Sequence, residues 1–264
     1  MNTFSLYFDI GNTNTKIGIR RSGGPIQIYS LPTDHRVTSD QLGLHLMQLL
    51  ALAGLEVSNL TFCLASSVVP NMSSLMGKMC ERYLGRELLH APADYPVPLE
   101  NHYARPYEVG ADRLVGAYGA RSLFPDAASL ITIDFGTATT FDCIQGNAYL
   151  GGLICPGVLS SAAALAGATA KLPHITLEVE DTVLRPGVST ATSLSHGFLY
   201  GFASMTEGLV ARLSKQLQGP VIVIGTGGFA KSIARVSTCF DTVWNDLVLE
   251  GLARIEDDQK GAEK

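Results

Sequence analysis

Hydrophobic and polar positions follow two patterns in this chain: short apolar runs typical of buried strands, and apolar residues at the i, i+3, i+4 spacing of helices. In the first half, the apolar runs predict strands over Phe4–Phe8, Lys16–Ile19, Pro25–Ser30 and Leu60–Val69. The helical spacing predicts helices over Ser39–Ala53, Ser73–Tyr83 and Ala111–Phe124, with Ser39 as an N-cap. Ala91–Pro106 is predicted to be a loop because it is rich in proline. The chain therefore begins as an antiparallel meander that leads into a sheet with flanking helices.

The second half repeats this order of elements. Strands are predicted over Leu130–Asp134, Thr140–Ile144, Ala148–Leu150 and Pro220–Ile224. Helices are predicted over Thr190–Leu217, from Ala230 and over Leu247–Ile255. Between these groups, GGLICPGVLSSAAALAGA predicts a glycine-rich loop that runs into a helix of small residues.

The two halves also share a motif. LYFDIGNTNTKIGI at Leu6–Ile19 and ITIDFGTATTFDCI at Ile131–Ile144 each end an apolar run in Asp-x-Gly-x-x-x-Thr. A motif that recurs half a chain apart indicates two like-folded lobes, whose polar turns would face each other around a nucleotide phosphate. We expect an α/β protein with lobes over residues 1–115 and 116–255 and a flexible tail over 256–264.

Composition narrows the class of protein. Hydrophobic residues make up 46% and charged residues 16%, as in a soluble globular enzyme, and the net charge of −5 argues against nucleic-acid binding. The segment Cys143–Ala170 has no charged residue, but its glycines and proline argue against a membrane span. The five cysteines are widely spaced and form no Cys-x-x-Cys pair, which favours a reducing, cytoplasmic location over a disulfide framework or a zinc site.

The first turn, Gly11–Lys16, has the chemistry of a phosphate site. It lacks the second glycine of a Walker loop, and a strand follows its lysine, so we interpret it as a hairpin whose amides and hydroxyls bind phosphate oxygens. Asp9 would repel phosphate directly and is therefore expected to act through a hydrated Mg²⁺. An Asx-turn carboxylate beside a surface lysine is the alternative, and the repeat argues against it.

The second turn begins at Asp134 and offers further donors to the same phosphates. These donors are Gly136, Thr137, Thr139 and Thr140. The run Gly225–Gly228, between a buried strand and a helix, is a third candidate contact, for the adenosine and its α-phosphate. Such a loop is a weak signal alone, since many strand-to-helix turns need glycine.

Gly110-Ala111-Asp112-Arg113 couples a carboxylate to a fixed cation. Asp112 would accept a proton from an acceptor hydroxyl, and Arg113 would stabilise charge on the phosphoryl group in transfer. A helix-start aspartate with an ion-pairing arginine is the structural alternative.

Together these motifs resemble those of type III pantothenate kinases, within the acetate kinase, sugar kinase, Hsp70 and actin superfamily. The resemblance extends from Leu6 to about Ile255. It rests on DIGNTNTK (Asp9–Lys16), SSVVP (Ser66–Pro70), VGADR (Val109–Arg113), DFGTATTFD (Asp134–Asp142), YLGGLICPG (Tyr149–Gly157), KLP (Lys171–Pro173) and TGG (Thr226–Gly228). It implies two ribonuclease H-like lobes in the actin-like ATPase fold, and the conversion of ATP and pantothenate to ADP and 4′-phosphopantothenate, the first step of coenzyme A synthesis.

The resemblance also implies roles for single residues. Asp134 would hold a monovalent cation, K⁺ or NH₄⁺, and Asp112 would be the proton acceptor. ATP would contact Asp9, Ile10, Gly11, Asn12, Thr13, Asn14, Thr15, Lys16, Thr137, Gly227 and Gly228. Pantothenate would contact Tyr103, Gly110, Ala111, Asp112, Arg113 and Thr190. Thr190 is the weakest of these assignments, because the segment before it reads Pro186-Gly187-Val188-Ser189 where the family has Ile-Gly-x-x.

The family further implies a homodimer in which the partner subunit completes the pantothenate pocket. Two other functions remain open from the sequence. A sugar kinase of the same superfamily would keep the ATP site and change the acceptor. A noncatalytic ATP-binding regulator would not need to keep Asp9, Asp112, Arg113 and Asp134 together.

Overall fold

The computed structural model describes residues 3–168, 177 and 182–262. The chain divides into two compact units. The first unit comprises Met1–Pro98, Tyr107–Ser122 and Val248–Lys264, and the second comprises Leu99–Pro106 and Leu123–Leu247. The KLP motif at Lys171–Pro173 lies outside the described residues.

The first unit is built on a sheet with the strand order β3-β2-β1-β4-β5. Its strands are β1 (Phe4–Ile10), β2 (Asn14–Arg21), β3 (Ile26–Pro32), β4 (Leu60–Ser67) and β5 (Leu89–Ala91). Its helices are α1 (Ser39–Leu52), α2 (Pro70–Met79) and α3 (Ala111–Leu123). The first three strands form the predicted antiparallel meander, and β4 joins β1 in parallel.

The start of α1 corrects one expectation. Thr38, rather than Ser39, is the N-cap: its side chain accepts from the amide of Gln41, and the Gln41 side chain accepts from the amide of Thr38. This reciprocal capping box satisfies two amides that the first turn of a helix would leave unpaired. The buried face of α1, with Leu46 and Leu50, then packs into the apolar core of the unit.

The second unit is built on a sheet with the order β11-β10-β7-β8-β9-β6. Its strands are β6 (Glu100–Asn101), β7 (Ser129–Phe135), β8 (Ala138–Gln145), β9 (Ala148–Pro156), β10 (Val221–Thr226) and β11 (Thr242–Val243). Its helices are α4 (Val158–Gly167), α5 (Thr190–Leu213) and α6 (Ala230–Ala234). The short strand β6 lies inside the segment Ala91–Pro106, which was expected to be a loop.

The strand β9 corrects a second expectation. Gly151 and Gly152 were predicted to form a loop, but they lie within this strand, which continues to Pro156. Gly151 has a φ of 105°, and the pairing of β8 with β9 shifts register between Cys143 and Ile144. A glycine at this irregularity lets the strand continue where other residues would be strained.

The two sheets share one topology. In each, an antiparallel three-strand meander is followed by a parallel strand that pairs with the first: β4 with β1, and β10 with β7. The duplication inferred from the repeated motif is therefore present in the strand order.

The C-terminal helix α7 (Leu247–Ala262) belongs, from Val248 onward, to the first unit. The predicted flexible tail is wrong for residues 256–262, because these residues are helical and Glu256 is buried. The boundary expected after residue 115 also differs from this division, since α3 stays with the first unit to Ser122. In the described part of the chain, no helix is both long and apolar enough to span a membrane.

Candidate functional site

The first polar turn joins β1 to β2 in the first unit. Strand pairing places Asp9 opposite Lys16, so a carboxylate and an ammonium group stand side by side at the base of the turn. The amide of Gly11 donates to the carbonyl of Asn14 across 3.1 Å and closes the turn. Residues 12–14 are exposed, which leaves their amides, hydroxyl and carboxamides accessible to an anion.

Thr33, just after β3, forms hydrogen bonds with residues of this turn. Its hydroxyl donates to the carbonyl of Gly11 at 2.7 Å and lies 2.9 Å from the hydroxyl of Thr15. Its amide donates to the carbonyl of Thr13 at 2.9 Å. Thr33 was not predicted from the sequence, because it lies outside the repeated motif and its role depends on the pairing of β3 with β2.

The segment after β4 connects the first turn to the loop before α3. Ser66 pairs with Asp9 in the parallel ladder, and its buried hydroxyl has no hydrogen-bond partner among the described residues. The amide of Val68 donates to the carbonyl of Ile10 at 3.2 Å. The side chain of Val68 lies 3.7 Å from the point where a Cβ at Gly110 would stand. DIGNTNTK, SSVVP and VGADR therefore adjoin one another within the first unit.

Gly110 makes room for the carboxylate of Asp112. A Cβ at residue 110 would lie 2.5 Å from Oδ1 of Asp112, well inside van der Waals contact. The same oxygen accepts a hydrogen bond of 2.8 Å from the amide of Arg113. The carboxylate thus folds back over the first turn of α3, into space that any other residue at position 110 would fill.

The environment of Asp112 favours a proton acceptor. Burial raises the pKa of Asp112, while the amide and the charge of Arg113 partly offset the shift. A carboxylate with a raised pKa is a stronger base than an exposed aspartate. Arg113 itself is buried beside it.

The second turn joins β7 to β8 in the second unit. Asp134 pairs with Thr140, and the amide of Gly136 donates to the carbonyl of Ala138 at 3.0 Å. Thr137 at the tip is exposed. Thr139, expected to offer a donor to phosphate, is instead fully buried, because strand alternation turns it to the face opposite Asp134 and Thr140.

The glycine loop after β10 lies directly against Asp134. A Cβ at Gly227 would be 2.2 Å from Oδ1 of Asp134, and a Cβ at Gly136 would be 3.6 Å from the same oxygen. Gly227 also has a φ of 86°, in the left-handed region. This loop was expected to contact the adenosine, and its contact with the second turn was not predicted. Gly228, in contrast to Gly227, has open space beside it.

The start of α4 supports the second turn, as Thr33 supports the first. A Cβ at Gly157 would lie 2.1 Å from the carbonyl oxygen of Thr137, so the two backbones are in close contact. The hydroxyl of Ser160 donates to that same carbonyl at 2.7 Å. Ser160 was also missed, because its partner is a backbone atom twenty-three residues away.

The remaining candidate residues lie in the second unit. The amide of Tyr103 donates to the side chain of Asn101 at 3.0 Å, and a Cβ at Gly151 would stand 3.2 Å from the Tyr103 ring. Thr190 is exposed at the first residue of α5, whose N-cap is Ser189.

Comparison with known proteins decides the family. A model of the type III pantothenate kinase family matches residues 5–212. The chain belongs to the type III pantothenate kinase family. A type III pantothenate kinase from Nitratidesulfovibrio vulgaris (strain DSM 19637 / Miyazaki F) is 60% identical over 247 residues, which is 94% of each chain. Another, from Lawsonia intracellularis, is 48% identical over 255 residues and covers 96% of this chain and 95% of its own.

Solved structures confirm the fold class. A Baf family transcriptional activator from Campylobacter jejuni aligns with a TM-score of 0.58 at 18% identity and covers 97% of this chain and 99% of its own. A ROK family glucokinase from Streptomyces griseus aligns with a TM-score of 0.50 at 16% identity, covering 96% and 98%. The type III pantothenate kinase chain therefore has the actin-like ATPase fold, as expected.

The structure thus groups the predicted residues within each unit. The first unit brings the turn Asp9–Lys16 together with Gly110–Arg113, and the second brings Asp134 and Thr137 together with Gly227. No cluster of three or more His, Cys, Asp or Glu side chains suited to a metal ion occurs in the described part of the chain.

Proposed function

We propose that this chain phosphorylates pantothenate with ATP, giving ADP and 4′-phosphopantothenate, and so performs the first step of coenzyme A synthesis. The observation that carries the proposal is the position of Asp112: a half-buried carboxylate with a raised pKa, adjoining a phosphate-type turn, in a chain of the type III pantothenate kinase family. A kinase of this kind needs a base for the acceptor hydroxyl and a site for phosphate, and little covalent chemistry from the protein.

In the proposed reaction, Asp112 accepts the proton of the primary hydroxyl of pantothenate. The hydroxyl oxygen forms a bond to the γ-phosphorus as the bond from that phosphorus to the β–γ bridging oxygen breaks, and ADP leaves. Arg113 supplies positive charge to the phosphoryl oxygens during transfer. General base catalysis of this kind contributes about 10²–10⁴-fold.

We assign ATP binding to both turns. Asn12–Asn14 and Lys16 would contact phosphate oxygens from the first unit, and Thr137 with Gly227 and Gly228 would do so from the second. Asp9 would hold Mg²⁺ through water, and the unpartnered hydroxyl of Ser66 beside it fits a hydrated ion. Bound Mg²⁺ neutralises phosphate charge.

Asp134 is our candidate for the monovalent cation, K⁺ or NH₄⁺. Its Oδ1 lies next to the backbones of Gly136 and Gly227, and a carboxylate oxygen is a ligand that hard cations prefer. Pantothenate would contact Tyr103, Gly110, Ala111, Arg113 and Thr190, with Asp112 at the reacting hydroxyl.

A homodimer and a cytoplasmic location complete the proposal. Large apolar side chains are exposed near α4 and before α5, with Ile154 67%, Leu159 57% and Val188 96% exposed. Such side chains support burial against a second copy. The five cysteines all carry free thiols, as in a reducing compartment.

Sedimentation of the purified chain tests the dimer. We expect the wild type to sediment as a dimer and Leu159→Glu to sediment as a monomer. A monomeric wild type would contradict the proposed dimer.

The proposed activity is tested by coupled ADP release with pantothenate as acceptor, with and without K⁺. ADP and 4′-phosphopantothenate should form in equal amounts, and omission of K⁺ and NH₄⁺ should abolish turnover. A panel of hexoses serves as the control, since a sugar kinase would release ADP with a hexose instead. No ADP release with pantothenate at saturating ATP would refute the proposal.

A further inference from the structure

The C-terminal helix α7 links the strand that carries Asp9 to the helix that carries Asp112. The carboxylate of Glu256, 1% exposed, accepts hydrogen bonds from Ser5 at 2.7 Å and from the hydroxyl of Tyr7. Arg20 at 3.4 Å and Lys260 at 2.5 Å balance its charge. Three donors from the strands, Ser5, Tyr7 and Arg20, thus fix one face of α7 on β1 and β2, and Lys260 donates from within the helix.

Asp9 lies on the same face of β1 as these donors. Successive side chains of a strand alternate between its faces, so Ser5, Tyr7 and Asp9 point to one side. On β2, Gly18 pairs with Tyr7, and a Cβ at Gly18 would lie 3.5 Å from Leu249 of α7. The helix therefore packs on the side of the sheet from which Asp9 projects.

On another side, α7 packs against α3, and there the helices meet through their backbones. A Cβ at Gly251 would stand 2.1 Å from the carbonyl oxygen of Val115 and 3.0 Å from its carbonyl carbon. Val115 is three residues after Asp112, so the contact lies roughly 4.5 Å along the helix axis from the carboxylate-bearing residue. Further along α3, the hydroxyl of Tyr118 donates to Asp258 of α7, which also pairs with Arg254.

We propose that Gly251 is a positioning residue for the kinase reaction: by letting α7 touch the backbone of α3, it sets the distance of Asp112 from the first phosphate turn. This inference rests on the proposed function, in which Asp112 is the base. Neither residue of the contact can yield by changing a rotamer, because the opposing atom is a backbone oxygen. An ordinary C···O contact is about 3.3 Å, so an alanine at 251 must separate the two helices by about 1 Å.

A displacement of about 1 Å at a catalytic group can cost about 10²-fold in rate. We therefore expect full-length Gly251→Ala to lower kcat about 10- to 100-fold with pantothenate. The dissociation constant for a nonhydrolysable ATP analogue and the KM for ATP should change less than threefold, because the first turn stays anchored to β1 and β2.

Two alanine variants are matched controls. Gly261→Ala lies in the same helix with nothing within 4 Å, and Gly116→Ala lies in α3 facing Val248 at an ordinary 3.6 Å. Both should retain wild-type kcat. Cooperative thermal unfolding of all three variants confirms that activity is compared between folded proteins.

Two results would overturn the inference. One is a folded Gly251→Ala enzyme with kcat within twofold of Gly261→Ala, and the other is a parallel loss of kcat and nucleotide binding that follows the unfolded fraction. If Gly251→Ala does not fold, Tyr118→Phe is tested in its place. We then expect a several-fold lower kcat and an unchanged KM for ATP. A wild-type kcat in Tyr118→Phe would overturn the inference.

Different measurements test the proposed function and this inference. A wild-type enzyme that ignores pantothenate refutes the function, while the ratio of Gly251→Ala to Gly261→Ala, measured with whichever acceptor is used, tests the positioning.

Discussion

Gly110→Ala should disable Asp112 without removing it. The new Cβ would stand 2.5 Å from Oδ1 of Asp112, and an ordinary contact needs about 3.3 Å, so the carboxylate must move by about 0.8 Å. A misplacement of this size at a catalytic group costs up to about 10²-fold, or about 2.7 kcal/mol of transition-state stabilisation. Stability should change little, because the displaced atom ends a side chain that can rotate.

The assay is the kcat for pantothenate, measured with the melting temperature and the affinity for an ATP analogue. A cycle with Asp112→Asn adds a sharper test, since Gly110→Ala acts through the carboxylate. In the Asp112→Asn background, Gly110→Ala should therefore lower kcat by less than twofold. Equal fractional losses in both backgrounds, or full activity of Gly110→Ala, would refute this explanation of the glycine.

Three other changes test the rest of the account. Gly227→Ala should lower the free energy of unfolding by about 1–3 kcal/mol through the clash with Asp134, and by about 1–2 kcal/mol more because of the left-handed backbone. The control Gly228→Ala should change the free energy of unfolding by less than about 0.5 kcal/mol. Urea unfolding measures both variants, and equal effects would contradict the contact between Gly227 and Asp134. Thr33→Val should raise the Kd for an ATP analogue about tenfold, because the first turn loses one hydrogen bond of about 1.4 kcal/mol. The Kd is measured by calorimetry, and an unchanged value would refute the role of Thr33. Tyr7→Phe should lower the free energy of unfolding by about 1.5–3 kcal/mol, since burial raises the pKa of Tyr7 and keeps its hydroxyl a donor to the buried carboxylate on α7; wild-type stability would show that this bond contributes nothing.

The sequence was sufficient for the features that local pattern determines. The repeated motif predicted two sheets of one topology, because an apolar run that ends in a polar turn has the same local structure in both halves. Asp112 was identified from its residue type beside Arg113, and its raised pKa agrees with the role of a base. The family resemblance, confirmed by comparison, supplied the substrate.

The features that the sequence did not reveal depend on contacts between distant segments. Thr33 and Ser160 hold the two turns through backbone carbonyls, which any residue could supply, so no motif marks them. A flexible tail was expected over residues 256–264, yet residues 256–262 are helical and Glu256 is buried with four donors from three elements. Gly151 and Gly152 suggested a loop, and they belong to a strand whose irregular pairing tolerates glycine.

The raised pKa of Asp112 links activity and stability to pH. A carboxyl group whose pKa is higher in the folded state favours folding below its unfolded pKa of about 3.9, and that contribution is lost as the pH rises through the folded value. Above the folded pKa, the ionised carboxylate therefore destabilises the fold. Asp112→Asn should melt at a higher temperature than wild type at pH 7–8, and the difference should vanish near pH 4. Activity of the wild type should fall as the pH is lowered through the same folded pKa.

The most direct test of the account is the kcat of Asp112→Asn with pantothenate and saturating ATP, in an enzyme shown to bind an ATP analogue with wild-type affinity. If Asp112 accepts the proton of the attacking hydroxyl, kcat falls about 10²–10⁴-fold while nucleotide affinity is unchanged. Turnover at the wild-type rate would contradict the central claim.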